Sequence, residues 1–147
     1  MTALGDFTAG DVLQASDLNA IGAWQDWTPT ISQPGLIAKT ITNARYTKIN
    51  NLVIAYSQMS VTGTGTAGNA VTISLPLPSL KTSQNVGNGG IYDSTTSTMY
   101  HYWMYPNSTT TVYLVGDWAG NGVWGTQPSR GLGSGDQLYF FMTYEAA

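Results

Sequence analysis

The sequence predicts an all-β protein, a jelly-roll-like antiparallel β-sandwich behind a short, partly helical N-terminal segment. Short runs rich in β-branched and aromatic residues recur from Trp27 onward, and Gly-rich stretches separate most of them. No segment beyond Trp27 has the length and period of an amphipathic helix.

Residues 1–26 stand apart as a predicted attachment segment, leaving 27–147 as one β domain. Leu13, Leu18 and Ile21 fall where short helical turns expose them on one side. Ser16 is a natural N-cap for a turn ending at Gly22. A helix of about two turns is unstable alone, so this segment needs a surface to lie on.

The first strand is predicted over Lys39–Tyr46, with Thr40, Thr42 and Ala44 on one face and Ile41, Asn43 and Arg45 on the other. Neither face is clearly apolar, so β-branched content carries the assignment. Leu52–Val61 follows after a hairpin turn at Ile49-Asn50-Asn51. Val71, Ile73 and Leu75 alternate with Thr72 and Ser74 until Pro76 and Pro78 end that strand. Met99, His101, Trp103 and Tyr105 share one face of the next strand, and Tyr100, Tyr102 and Met104 the other. Val112–Val115 and Gln137–Tyr144 complete the set. Turns are expected at 62–68, 87–90, 116–125 and 131–136.

A lone sandwich wets one face of each sheet and shows clean alternation. Here the runs at Tyr100–Tyr105 and Leu138–Tyr144 are apolar on both faces, which points to subunit contact. Tyr100, Tyr102, Tyr139 and Phe141 are the candidate interface residues, with the face used on each strand left open.

Composition narrows the function classes. Of 147 residues, 42% are hydrophobic and 12% aromatic, enough to fold, yet only 9% are charged against about 25% in an average protein. The net charge is −3, and Lys39, Arg45, Lys48, Lys81 and Arg130 are scattered, which argues against a nucleic-acid partner. With no cysteine, thiol chemistry and Cys-ligated metals are excluded. No export signal and no membrane-spanning run is read, so membrane insertion is not expected.

Candidate chemistry is sparse. His101 is the single histidine and has no carboxylate near it in sequence to orient it as a base. The stretch from Gly116 to Gly122 lacks the ligand pattern and late glutamate of a calcium loop. Nothing in the spacing of Asp93, Asp117 and Asp136 asks for a metal, and Asn107-Ser108-Thr109 reads as a polar turn. No catalytic residue, cofactor or metal is therefore expected. Trp118 and Trp124 sit in a Gly-rich loop, where flat rings on an adaptable frame suit recognition, and they are the candidate ligand contacts.

The run Phe7-Thr8-Ala9-Gly10-Asp11-Val12-Leu13-Gln14-Ala15-Ser16-Asp17-Leu18-Asn19 resembles the N-terminal segment of tail, baseplate and head-appendage proteins of tailed bacteriophages. Trp27-Thr28-Pro29-Thr30, Tyr46, Ile73-Ser74-Leu75-Pro76 and Ser134-Gly135-Asp136 resemble marks of the jelly-roll domain often joined to it. One departure is the turn after Tyr46, where Asn50 and Asn51 replace the usual glycine. The resemblance implies a homotrimeric structural protein on the virion surface, assembled in the bacterial cytoplasm and anchored to other virion proteins through 1–26. Phe7, Leu13, Leu18 and Ile21 are the candidate anchor residues. A tail or baseplate appendage touching a host surface glycan is the first expectation, and a head fibre or capsid-decorating trimer the second. A polysaccharide or cell-wall hydrolase is the weakest, because its paired carboxylates are not in evidence.

Overall fold

A computed structural model describes residues 21–116, 118 and 122–147. Phe7, Leu13, Leu18 and the short helical turn lie outside the described residues. Ile21 lies within them and is exposed.

Among the described residues all the regular elements are strands: β1 Gln25–Asp26, β2 Ile31–Ser32, β3 Gly35–Leu36, β4 Lys39–Ile49, β5 Leu52–Val61, β6 Thr64–Gly65, β7 Thr72–Ser74, β8 Gly87–Asp93, β9 Thr98–Pro106, β10 Thr111–Gly116, β11 Gly122–Val123 and β12 Gln137–Glu145. They form one antiparallel sheet in the order β1-β4-β5-β12-β8-β9-β10-β7-β2, with β11 paired to β10 and a small β3–β6 ribbon beside it. The sheet curls into a half-barrel, compatible with a jelly-roll-like sandwich. The chain leaves β1 at one end of this path and enters β2 at the other, so residues 27–30 cross between its two ends. Trp27 packs edge-on to Phe140 during that crossing, with centroids 6.3 Å apart.

Alternation places the core on the concave side. Val53, Ala55, Met59 and Val61 of β5 meet Leu138, Phe140 and Met142 of β12, and Ile73, Ile91, Met104, Val112 and Leu114 complete the same cluster. The β4–β5 hairpin turns at Asn50, whose φ of 51° is the left-handed value that asparagine tolerates. β4 runs three residues past the expected Tyr46 and carries a bulge between Ile41 and Asn43. The extra residue shifts the phase, so Ile41 and Ala44 both pack on the core side although the sequence put them on opposite faces.

The expected turn at 87–90 is instead the first half of β8. Its inward positions, Gly87, Gly89, Ile91 and Asp93, lie opposite Met104, Tyr102, Tyr100 and Thr98 of β9. A Cβ at Gly89 would stand 2.1 Å from the Tyr139 carbonyl oxygen and 2.6 Å from Tyr102 Oη, so only glycine lets the Tyr102 ring lie across the strand. The Tyr102 hydroxyl then donates to the Tyr139 carbonyl at 3.1 Å, and burial pushes its phenol well above the ordinary tyrosine range. Glycine-rich composition, which reads as a turn, here makes room for an aromatic residue inside the sheet.

Polar groups fasten the loops. The buried Gln33 donates from Nε2 to the Asn69 carbonyl at 2.8 Å and the Arg130 carbonyl at 3.1 Å, and its Oε1 accepts from Leu132 N–H at 2.9 Å. Tyr144 donates to the Leu77 carbonyl at 2.7 Å and accepts from Leu77 N–H at 3.2 Å, tying β12 to the loop after β7. Its phenol is pushed up to about 12 by burial, against the Leu77 hydrogen bond and with a contribution from Tyr46.

The domain boundary also differs in detail. Gln25 and Asp26 pair with Tyr46 and Arg45 of β4, and Trp24 stacks edge-on to Tyr56 at 5.3 Å. Residues 24–26 are therefore joined to the β domain expected to begin at Trp27.

Candidate functional site: an aromatic outer sheet face

The convex side of the sheet is unusually apolar. Strand register aligns Tyr56, Phe141, Asn88, Trp103 and Val115 in one row across β5, β12, β8, β9 and β10. Tyr139, Gly90 and His101 form the next row, and Tyr105 and Tyr113 face each other further along. Met99, Trp103, Tyr105 and Phe141 are 46%, 44%, 43% and 49% exposed, and Trp24 adds its ring beyond Tyr56 at 41%. The outward positions of β12, β8 and β9 within these rows carry no Lys, Arg, Asp or Glu. At roughly 150–250 Å² per aromatic side chain, each ring exposed to this extent leaves on the order of 60–120 Å² in water.

An open groove of about 760 Å³ is lined by Asn88 and Gly89 of β8, the five β9 residues from Met99 to Trp103, and Trp118, residues drawn from both sides of the strands. Asn88 and His101 are exposed, and neither side chain makes a hydrogen bond among the described residues. None of the described lining residues is a carboxylate, lysine or arginine.

The structure divides the predicted site residues. Tyr139 and Phe141 face outward on β12 as a subunit contact would require. Tyr100 and Tyr102 do not. Tyr102 is 2% exposed in the core, and the Tyr100 ring packs edge-on to Trp124 at 5.1 Å and Trp118 at 6.2 Å. The outward β9 face is the alternate set, Met99, His101, Trp103 and Tyr105. Trp124 is corrected in the same way: at 1% exposure it is a core residue and offers no ring to a ligand. Trp118 is half-buried, folded over Gly116, with its indole N–H shared between the Gly122 and Gln127 carbonyls at 3.1 and 2.8 Å.

Sequence reasoning placed Trp103 on one face with His101 but selected neither Trp103 nor Asn88 as a candidate site residue. The available signal was parity. Trp103 shares its face with His101, the only titratable imidazole, and that polar residue marks the wetter side of the strand.

The carboxylates near the aromatic cluster have structural partners. Asp93 is buried at the end of β8, accepts from Thr95 and Thr96 N–H at 2.9 and 3.2 Å, and pairs with Arg130. Burial raises its pKa, but the Thr96 and Thr95 hydrogen bonds and the Arg130 charge outweigh it, and the group titrates below the usual carboxylate range. Arg130 also lies over the Tyr100 ring, 5.7 Å from its centroid. Asp136 accepts from Ser94 N–H and Oγ–H at 2.9 and 3.0 Å and from Gly133 N–H at 2.8 Å, closing the turn before β12. Among the described residues no three His, Asp or Glu side chains gather as a metal site, and no helix is long and apolar enough to cross a membrane.

Compared with known families, curated proteins and solved structures, the chain matches no family model, no curated protein and no solved structure.

Proposed function

We propose that this chain is a structural protein of a bacteriophage virion, a homotrimeric surface appendage of the tail or baseplate. The observation that supports this reading best is the outward aromatic face, centred for self-association on Tyr56, Tyr139 and Phe141. A β domain with a complete concave core has no internal need of apolar residues on its convex side, and covering them removes roughly 25 cal/mol per Å² of exposed apolar surface. The phage assignment rests on the resemblance of residues 7–19 and of the ordered domain marks. On this reading residues 1–26 dock the trimer onto other virion proteins.

Light scattering of the purified chain at micromolar concentration should give about three times 15.7 kDa. Phe141→Glu, which places a charge on the contact, should shift that mass toward the monomer without unfolding the domain. A density map of the intact particle should show the trimer on the tail or baseplate. A wild-type monomer in solution and in the particle would refute the trimer, and density on the head would move the reading to a decorating role.

A further inference from the structure

We propose that the exposed aliphatic patch at the β4–β5 turn end of the domain is a docking site for the chain's own residues 1–20, which rest Leu13 and Leu18 on Leu52 and Leu80 beside Ile21. The contact itself does not require the virion reading.

Strand pairing assembles the patch. Ile49 and Leu52 are direct partners across the β4–β5 hairpin, Leu52 is the partner of Glu145, and the Glu145 carbonyl accepts from Leu80 N–H at 2.8 Å. Ile49, Leu52 and Leu80 are 44%, 44% and 51% exposed, and Ile21 joins them at 39%. The incoming chain passes directly against the hairpin: a Cβ at Gly22 would stand 3.2 Å from Ile49 Cδ1. The described residues therefore begin at Ile21 on the rim of the patch, with residues 1–20 leading into it. The turns at the opposite end of the domain, 62–68 and 94–97, are built from Thr, Ser, Gly and Ala alone and offer no such surface.

Size, reach and charge choose the occupant. Four aliphatic side chains at this exposure leave roughly 300 Å² of apolar surface in water. A stable contact between two copies covers about 800 Å² on each, so this patch alone is too small for one. A segment of about two helical turns fits it, and such a helix is unstable without a surface. Three steps of about 4.8 Å carry the patch from Ile49 to Leu80, about 14 Å in all. At helical rise Leu13 and Ile21 stand about 12 Å apart, so the side the sequence assigns to Leu13, Leu18 and Ile21 reaches across it. Residues 1–20 carry Asp6, Asp11 and Asp17 and no lysine or arginine. Lys48 and Lys81 flank the patch, exposed, and neither pairs with a carboxylate among the described residues. Glu145 stands between them, so two lysines against one glutamate leave the rim positive towards an acidic segment. On the reading proposed above, a particle protein that takes residues 1–20 must displace them from this patch, and the domain competes for its own attachment segment.

The test uses the full chain, which has no cysteine, with a nitroxide on Gln14→Cys and methyl NMR of the leucines and isoleucines. The Leu52 and Leu80 methyl signals should broaden severalfold more than in the same labelled chain carrying Leu18→Asp, where only the tether acts. Lys48→Glu with Lys81→Glu should also reduce the broadening severalfold, and this exposed pair carries the comparison if Leu18→Asp does not fold. Broadening that neither change reduces, or no broadening without them, would overturn the proposal. So would broadening seen only when label and isotope sit on different copies, which would make a sister subunit the occupant. Light scattering on the same samples separates the two readings. A monomer that keeps the broadening refutes the trimer and leaves this docking intact, whereas a mass that falls with Leu18→Asp makes the segment a subunit contact and refutes the docking.

Discussion

Replacing Gln33 by leucine keeps the side-chain volume and deletes three hydrogen bonds at one buried point. Leu132 N–H, on a residue with no exposure, loses its only acceptor among the described residues. Such an orphan costs about 1–3 kcal/mol. The Asn69 and Arg130 carbonyls belong to half-buried residues, where entering water recovers part of the loss, so together they add about 1 kcal/mol. The expected destabilisation is therefore about 2–4 kcal/mol, which for a chain of this size lowers Tm by about 5–15 °C. Gly65 supplies an internal control. A Cβ there would sit 2.0 Å from Gln33 Oε1 and 2.8 Å from its Cδ, and the pinned amide cannot swing aside without breaking the same bonds. Gly65→Ala should thus cost less on a Gln33→Ala background than on wild type, with a coupling of about 1–2 kcal/mol. Circular-dichroism melts at two protein concentrations separate this from subunit dissociation, since only dissociation makes Tm depend on concentration. A Gln33→Leu loss below about 0.5 kcal/mol, the scale of an ordinary surface change, or a strictly additive cycle would refute the reasoning.

Gly89→Ala should lower the urea midpoint severely or prevent folding, whereas Gly90→Ala, whose added methyl would lie 3.0 Å from the flexible Met99 sulfur, should cost under about 1 kcal/mol. Equal effects would remove the argument that Tyr102 lies across Gly89. Trp124→Ala should cost about 3–5 kcal/mol as a core truncation and Trp103→Ala about 0.5 kcal/mol or less, both read from urea melts; the reverse order would invert the assignment of faces. For Asp93, whose folded pKa is depressed, the ionised form's extra stability is present above the unfolded value near 3.8 and is lost as pH falls through the folded pKa. The Tm gap between wild type and Asp93→Asn should therefore hold from about pH 6 to about pH 4.5 and close below it. A gap that does not depend on pH would contradict the Thr96, Thr95 and Arg130 interactions as its source.

Elements whose side chains obey one period were readable from sequence. β5 and β12 alternate without interruption, and the Asn50-Asn51 turn announces its backbone conformation through residue type. β4 was readable only as a strand. The bulge beside Thr42 puts Ile41 and Ala44 on one face, so no two-residue period could reveal it. β8 was hidden by composition, because Gly87, Gly89 and Gly90 signal a turn unless the neighbouring strands are known. The buried hub at Gln33 was equally out of reach, since its partners Asn69, Arg130 and Leu132 lie 36, 97 and 99 residues away.

The same glycines decide which face of β9 meets the outside. With Tyr100, Tyr102 and Met104 on one side and Met99, His101, Trp103 and Tyr105 on the other, hydrophobicity along β9 alone gives either side a claim to the core. The register breaks the tie: Tyr102 and Met104 stand opposite Gly89 and Gly87, where a missing side chain leaves volume for a large one. Tyr102 fills that volume and reaches the Tyr139 carbonyl beyond it, a bond no residue across from a bulky neighbour could make. Once Tyr102 is fixed inward, the period of two forces Trp103 outward beside Asn88. A substitution that fills β8, such as Gly89→Val, should therefore do more than destabilise. It should disturb Trp103 as well, through its chain neighbour Tyr102, and if that variant folds, its tryptophan fluorescence should shift as its stability falls. An unshifted spectrum in a folded Gly89→Val protein would show that the outer face is organised independently of the core beneath it.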